Sequence, residues 1–248
     1  MRPVPLLVLL SLCACGGNEW VHSKQRRIEL TNNGEWEEEN PGTGLGPTRA
    51  RPQPMQTTRL GQPYRNTYYD FPSEKAGDKQ ATVFDGTCAP IAKVTQAFHD
   101  AVCLQGSGRI STGETISFNR RDCECAAVCP KSGSKICFDK LDPKDFPTGR
   151  GASGKPVTPL RSVAVDTELI PLGTPILIEE FIGVRLPDGG KHDGCFRADD
   201  RGSRVTGRHV DVFTGDPEAT KVYNQLVPSN EGVMVEIDPD ACKYLRTP

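Results

Sequence analysis

Short strand-like segments separated by turns fill the last third of the chain and constrain its fold more than any other feature. Residues 216–226 have helical spacing and an acidic first turn. The other segments are rich in β-forming residues and lie at 162–165, 175–182, 195–199, 209–213 and 233–237. Many short strands with one or two short helices are typical of a small closed β-barrel. We therefore predict a mainly β fold.

Three aspartates accompany these segments. Asp166 directly follows the first segment, Asp200 precedes a glycine turn, and Asp211 lies inside the fourth segment. Burying a carboxylate is costly unless the group is paired, hydrogen-bonded or functional. We therefore expect the three side chains to share a cleft and to support acid/base chemistry. Asp199 alternates with Asp200 along its segment and is predicted to face outward.

The composition argues against a nucleic-acid partner. The chain has 30 basic and 32 acidic residues, and its formal net charge of -2 gives no basic surface for nucleic acid. With 25 Gly, 21 Pro and only 6% aromatic residues, much of the chain is expected to be loop or linker. We predict no metal and no organic cofactor.

The N-terminus resembles a bacterial lipoprotein signal peptide. The apolar run at 4–12 is too short to span a bilayer as a helix. Removal of residues 1–14 would leave Cys15 to carry the lipid, and an ordinary secretory signal is the alternative. Several acyl chains give stable membrane attachment. Because Gly16 provides no inner-membrane retention signal, we expect a periplasmic, lipid-anchored protein, at the outer rather than the inner membrane.

A polar segment separates this signal from the folded part of the chain. Residues 15–62 contain an acidic run and several Gly and Pro, and they predict a disordered tether. The folded domain is expected at residues 63–248. Its first half is predicted to contain strands at 65–71, 80–84 and 114–118, a helix at 91–103, and a disulfide-rich insert at 121–137 within a loop-heavy region, 106–158.

Eight cysteines remain when Cys13 and Cys15 are set aside. In an exported domain with few aromatic residues, an even number predicts a disulfide framework, although its pairing does not follow from the sequence. The four cysteines at 123, 125, 129 and 137 could instead bind zinc. Their irregular spacing, the lack of a CxxC pair and the oxidising compartment favour disulfides. The eight are Cys88, Cys103, Cys123, Cys125, Cys129, Cys137, Cys195 and Cys242.

Four short motifs follow one another in the last third: SVAVD at 162–166, IPLGT at 170–174, DRG at 200–202 and GRHVDVF at 207–213. Together they resemble the 3D domain, which is named for three aspartates. That domain is found in the membrane-bound lytic murein transglycosylase A family and in related cell-wall proteins. The order and spacing of the motifs make this resemblance specific.

The resemblance implies a six-stranded double-psi β-barrel that acts on peptidoglycan glycan strands. We expect the chain to be a monomer. In the lytic family, one aspartate protonates the glycosidic oxygen between N-acetylmuramic acid and N-acetylglucosamine. The C6 hydroxyl of the muramic residue then closes onto C1 and gives a 1,6-anhydro product. The family's general acid/base corresponds to Asp211, and its other two aspartates correspond to Asp200 and Asp166.

A single acid is chemically sufficient for such a reaction. Hydrolases use two carboxylates because they need a separate nucleophile or an activated water. Here the substrate supplies the nucleophile, so one group can give a proton and later take one back. Asp211 then needs a raised pKa, which burial and the charges of Asp200 and Asp166 would provide. The alternative is that Asp166 and Asp200 only cap turns.

Three further side chains are candidates for substrate binding. His209 precedes Asp211 by two residues, so both side chains would lie on the same side of a strand. Arg201 and Arg208 could bind acidic or acetamido groups of the glycan. Solvated surface is the alternative interpretation for both arginines.

Departures from the family pattern leave a second function open. Ser203 and Thr206 replace an expected glycine and an expected basic residue. The chain has no room for the large second domain of the lytic enzymes, and only the insert at 121–137 could substitute for it. A non-catalytic peptidoglycan-binding or cell-wall morphogenesis lipoprotein is therefore the alternative, since a fold alone does not establish activity.

Overall fold

The computed structural model describes residues 61–246, and this part of the chain is mainly β, as predicted. It contains two α-helices, α1 (Gln96–Gln105) and α2 (Pro217–Leu226), and two 3-10 helices, Glu179–Phe181 and Asp240–Leu245. The strands are β1 (Arg65–Tyr69), β2 (Ala81–Phe84), β3 (Pro90–Val94), β4 (Ser107–Arg109), β5 (Thr115–Arg120), β6 (Cys137–Leu141), β7 (Ser162–Val165), β8 (Pro175–Ile178), β9 (Cys195–Asp200), β10 (His209–Phe213) and β11 (Val235–Ile237).

Two N-terminal predictions lie outside the described residues. These are the signal peptide at 1–14 with Cys15, and nearly all of the tether at 15–62. Among the helices of residues 61–246, none combines the length and the apolar character needed to cross a bilayer.

Six strands form the principal sheet, in the order β1-β10-β7-β9-β8-β11. The pairs β1–β10 and β7–β9 are parallel, and the other three pairs are antiparallel. Beside the two outermost strands, Tyr64 and Val233 form one antiparallel bridge, with N–H to O distances of 2.8 Å in both directions. The ladder is not continuous around the sheet, so closure into a six-stranded barrel stays a prediction.

Strand β10 sends alternate side chains to two different clusters. Val210 and Val212 have no exposed surface and belong to the main core. Phe213 packs instead against Tyr69, with ring centroids 4.9 Å apart, in a separate cluster. Complete burial of each valine stabilises the fold by about 1.5–3 kcal/mol. Because a shift of one residue would remove both valines from the main core, the register is fixed and Asp211 is held on the side of Phe213.

The segment from β2 to β6 builds a second lobe with its own hydrophobic core. A β2–β3 hairpin, helix α1 and a β4-β5-β6 sheet surround Val83, Val94, Phe98, Val102, Ile116 and Phe138. The expectation that only the insert at 121–137 could add a second wall is therefore wrong. Sequence reasoning missed this lobe because β3, β4 and β6 are short and lack a clear alternating pattern.

The helix predicted at 91–103 is only partly correct. Residues 91–94 belong to β3, and the helix begins after Thr95, whose hydroxyl accepts the Phe98 N–H at 3.3 Å. A threonine in this position satisfies one of the free N–H groups of the first turn. The helix ends at Gly106, which adopts φ 83°, a left-handed conformation that glycine tolerates well.

All eight predicted disulfide cysteines are paired, which confirms the disulfide framework. Three bonds lie in the second lobe, and Cys195–Cys242 ties β9 to the C-terminal 3-10 helix. Such bonds stabilise a fold mainly by restricting the unfolded chain. The bonds of the second lobe are Cys88–Cys125, Cys103–Cys129 and Cys123–Cys137.

Candidate active site

Two of the three predicted aspartates lie in one row across the principal sheet. On β10, Asp211 pairs in register with Thr67 of β1 on one side and with Ala164 of β7 on the other. Ala164 in turn pairs with Asp200 of β9. Side chains in one row of a sheet point to the same face. The small side chain of Ala164 therefore separates two carboxylates that share a face.

The surroundings of Asp211 favour its protonated form. Burial raises the pKa of Asp211 to about 6, and the charge of Asp200 adds to this increase. A hydrogen bond from the Thr67 hydroxyl, 2.6 Å from Oδ1, and the positive charge of Arg65 oppose it. The net effect is a carboxyl group that exchanges a proton close to neutral pH.

Asp200 is held from two sides by backbone donors. Its Oδ1 accepts the N–H of Arg201 at 2.8 Å and the N–H of Ala152 at 2.9 Å. Burial raises the pKa of Asp200, these backbone donors oppose the increase, and the negative charge of Asp199 adds to it. The orientation of Asp200 is therefore fixed by the chain itself, while its negative charge acts on Asp211.

Asp166 occupies a turn rather than the row. Its carboxylate accepts the N–H of Gly207 at 2.6 Å and the N–H of Glu168 at 3.0 Å. These hydrogen bonds, led by the one from Gly207, lower the pKa of Asp166. The contacts match the turn-capping alternative, and they also fasten the loop that leads into β10 and Asp211.

Asp199 was predicted to face outward, and this prediction is wrong. Only 2% of Asp199 is exposed, and its carboxylate lies 2.6 Å from Nε of Arg197 and 2.5 Å from the Ser162 hydroxyl. The cause is a bulge between β7 and β9, where the register passes from Val163–Ala198 directly to Ala164–Asp200. The bulge leaves Asp199 without a partner in the ladder and turns it inward.

His209 lies beside Asp211, as its spacing predicted. Its Nε2 is 2.8 Å from the Thr67 hydroxyl, and its Nδ1 is 3.2 Å from the carbonyl oxygen of Arg204. Burial lowers the pKa of His209, and the charge of Arg65 lowers it further. The ring is therefore neutral at physiological pH and connects to Asp211 through Thr67.

The two predicted arginines are placed differently. Arg201 is exposed, and its backbone N–H binds Asp200. Arg208 is exposed too, but its guanidinium lies over the Tyr64 ring at 5.4 Å and donates to the Gln62 carbonyl at 3.2 Å. Arg208 therefore has a packing contact of its own, and both arginines stay substrate-binding predictions.

Sequence reasoning missed two side chains of β1 at this site. Thr67 contacts both Asp211 and His209, and the buried Tyr69 hydroxyl has no partner at full hydrogen-bonding geometry. Burial raises the pKa of Tyr69 well above its ordinary value, and the carboxylates of Asp200 and Asp211 add to this increase. Tyr69 is therefore a neutral donor that faces both carboxylates. The TYY sequence at 67–69 was the available signal.

A strap at residues 149–157 joins the second lobe to the site. At its start, the Arg150 N–H donates to the Ser117 hydroxyl at 3.0 Å, and the Arg150 guanidinium forms an ion pair with Asp139 of β6. Next, a Cβ at Gly151 would lie 2.4 Å from the Asp199 carbonyl oxygen, so only glycine fits this approach. The strap then reaches Asp200 through its backbone N–H at Ala152.

A hollow of about 400 Å³ lies beside the strap and is lined by Ser153, Lys155, Leu172, Arg197 and Asp199, among others. Neither Asp200 nor Asp211 lines it.

Comparison with known proteins agrees with this architecture. Residues 161–224 match the model of the 3D domain, and this range contains all three predicted aspartates. Escherichia coli MltA with bound chitohexaose is a similar solved structure, with 17% identity over 70% of each chain and a TM-score of 0.52. The membrane-bound lytic murein transglycosylase from Agrobacterium tumefaciens is 16% identical over 74% of this chain and 76% of its own, with a TM-score of 0.51.

No curated protein sequence matches the chain. Because the identities to the solved structures are low, these similarities establish the fold and not the activity. The chain thus contains a 3D domain at residues 161–224, and its fold is similar to that of the MltA lytic transglycosylases.

Proposed function

We propose that this protein is a peptidoglycan lytic transglycosylase that cleaves the β-1,4 bond between N-acetylmuramic acid and N-acetylglucosamine. The observation that carries the proposal is the carboxyl group of Asp211, whose pKa is raised to about 6 within the matched domain. Such a pKa suits a group that must be protonated before reaction and ionised after it. The six-stranded double-psi barrel belongs to the same proposal, and the two parallel strand pairs and the Tyr64–Val233 bridge support it.

The reaction needs one proton and no water. Asp211 donates its proton to the glycosidic oxygen as the bond from that oxygen to C1 breaks. The C6 hydroxyl oxygen of the muramic residue bonds to C1 and gives its proton to the ionised Asp211. The product is a 1,6-anhydro sugar, and Asp211 is again protonated for the next cycle.

The hydrogen bonds around Thr67 depend on the protonation state of Asp211. The carbonyl of Arg204 only accepts, so Nδ1 of the neutral His209 carries the ring proton and Nε2 accepts. When Asp211 is protonated, the Thr67 hydroxyl donates to Nε2, and its oxygen accepts a hydrogen bond from the Asp211 carboxyl group. When Asp211 ionises, the Thr67 hydroxyl must donate its single hydrogen to the carboxylate. Nε2 of His209 then has no hydrogen-bond donor. Thr67 therefore donates to the ionised acid only at the expense of its hydrogen bond to His209.

The neighbouring groups have distinct roles in this proposal. Asp200 keeps the pKa of Asp211 high through its negative charge. Tyr69 donates a hydrogen bond to a substrate oxygen beside the two carboxylates. Asp166 positions the loop before β10, and Arg201 binds the glycan.

The second lobe and the strap would form the wall opposite the sheet. Arg204, in the loop before β10, donates to the carbonyl of Lys131 in the second lobe at 2.5 Å. The strap binds Asp200 at the other end of the row. Both contacts join the lobe to the loops that border the site. A glycan strand would lie between the lobe and the sheet.

The proposed location is the periplasm. Cys15 would carry the lipid that holds the protein at the outer membrane, and residues 15–62 would tether the domain at a distance from it. A periplasmic protein with such an anchor can reach peptidoglycan strands directly.

The test is digestion of purified sacculi with the chain truncated before residue 16, followed by mass analysis of the released muropeptides. The expected result is anhydro-ended products, which disappear in Asp211→Asn. Asp145→Asn is the matched control, because Asp145 is exposed and lies outside the site. Binding to sacculi without any released product would overturn the proposal and establish the non-catalytic peptidoglycan-binding alternative.

A further inference from the structure

Four cysteine sulfurs converge at one point of the second lobe. The Sγ atoms of Cys88, Cys123, Cys125 and Cys137 all lie within 4.8 Å of one another. They form two disulfides that touch, since Cys125 Sγ is 3.5 Å from Cys123 Sγ and 4.0 Å from Cys137 Sγ. Within residues 61–246, no other group of three or more potential metal ligands meets this closely. Neither of the other two disulfides in residues 61–246 therefore lies this close to a second disulfide.

Hydrogen bonds hold the backbone around these sulfurs in addition to the disulfides. The Cys123 N–H donates to the Lys135 carbonyl at 3.1 Å, and Cys137 opens strand β6. Cys88 lies in a turn where the Asp85 carboxylate accepts backbone N–H groups at 2.8 and 2.9 Å. Backbone hydrogen bonds therefore help to hold these cysteines in place in addition to the two covalent bonds.

We propose that these four cysteines form a convertible site, which contains two disulfides when oxidised and binds one zinc ion through four thiolates when reduced. Zinc binds thiolates tetrahedrally at about 2.3 Å, which places neighbouring sulfurs roughly 3.8 Å apart. The two contacts between the disulfides are already close to this spacing. Reduction only has to separate the bonded pairs.

The charge around the site also suits a zinc tetrathiolate, which carries two negative charges. The Lys135 ammonium lies 3.4 Å from the carbonyl oxygen of Glu124, between Cys123 and Cys125. A positive charge is therefore already present beside the backbone of this loop. Cys123 and Cys137 are fully buried, and a low-dielectric setting strengthens this attraction.

Reduction would proceed through the more exposed disulfide. A dithiol reductant cleaves Cys88–Cys125 and is itself oxidised to a disulfide, which leaves two thiols on the protein. The Cys125 thiolate then attacks Cys123 at 3.5 Å, so that a Cys123–Cys125 bond forms and the Cys137 thiol leaves. A second equivalent of dithiol reduces the new bond. Zinc displaces four protons, and a disulfide oxidant reverses the sequence and releases the ion.

The experiment uses Co²⁺ as a spectroscopic probe with the full chain, reduced under anaerobic conditions. One equivalent of Co²⁺ is expected to produce the visible absorption of a tetrahedral thiolate site, and Zn²⁺ should displace it. Native mass spectrometry should show one metal per reduced chain and none per oxidised chain. Absence of the Co²⁺ spectrum in the reduced chain would overturn the proposal.

Two matched double variants identify the ligands. Cys88→Ser/Cys125→Ser removes one disulfide of the cluster and is expected to abolish the one-to-one Co²⁺ spectrum. Cys195→Ser/Cys242→Ser removes an isolated disulfide and should leave that spectrum unchanged. Equal Co²⁺ uptake by both variants would mean that metal binds to unrelated thiols, and the site would be disproved. Circular dichroism of each reduced variant checks that the β structure persists.

Discussion

Replacement of Asp211 by Asn should stabilise the protein at neutral pH while it removes activity. The ordinary pKa of this carboxyl is 3.8, and burial raises it to about 6. The folded chain therefore retains a proton that the unfolded chain has already lost. At about 1.4 kcal/mol per pKa unit, ionised Asp211 costs the fold up to about 3 kcal/mol above pH 6. Asparagine has the same shape and no charge, so it avoids this cost.

The sign of the pH dependence follows from the two pKa values. Below pH 4 both states are protonated, and the two proteins should be equally stable with respect to this group. As pH rises from about 4 to about 6, the free energy of unfolding of the unmodified protein should fall relative to that of Asp211→Asn. Above pH 6 the difference should level off at about 3 kcal/mol. This difference corresponds to roughly 2–4 °C in Tm for each kcal/mol.

Urea denaturation followed by far-ultraviolet circular dichroism between pH 4 and pH 8 measures this difference. Asp145→Asn is again the control, and its stability should follow the unmodified protein across the range. A difference that does not change with pH, or an Asp211→Asn protein that is less stable at pH 8, would refute the reasoning. Asp211 would then not be the group with the raised pKa.

The remaining predictions concern the same proton and its surroundings. Cleavage of sacculi by the unmodified protein should decline as pH rises through about 6, as the pKa of Asp211 requires, in a series of initial rates. Asp200→Asn removes a negative charge and should move this decline to lower pH, whereas Arg65→Gln removes a positive charge and should move it to higher pH. His209→Phe removes the group that accepts the hydrogen bond from the Thr67 hydroxyl. Thr67 then donates to the ionised Asp211 and stabilises it, so the decline should also move to lower pH. Asp199→Ala should lower the free energy of unfolding by about 3 kcal/mol in urea denaturation, because its arginine partner loses a buried counter-charge.

The strands and the residues of the site differ in how well the sequence predicts them. Segments with a strong β pattern, such as those that became β7 and β10, lie where expected, because both bury apolar side chains of the core. Short strands such as β4, with only three residues, were missed because their pairing depends on distant partners. No local pattern encodes such long-range pairing.

The same contrast holds inside the site. The alternation of β10 correctly places His209 and Asp211 on one side. The rule fails for Asp199, because a bulge between β7 and β9 shifts the register at that residue. Thr67 and Tyr69 reach Asp211 only through the parallel pairing of β1 with β10, strands about 140 residues apart in sequence. Such contacts follow from topology and are invisible to a local pattern.

The energetics of Asp211 distinguish the two candidate functions. A module that only binds glycan does not require a carboxyl group that destabilises its fold near neutral pH, since a neutral amide also forms hydrogen bonds with sugar hydroxyl groups. An enzyme that must donate a proton does gain from it, and functional sites commonly reduce stability in this way. The pKa shift corresponds to a loss of about 3 kcal/mol in the free energy of unfolding. This loss is therefore an argument for catalysis. If Asp211→Asn proves no more stable at pH 8, this argument fails, and the binding module becomes the simpler explanation of the site.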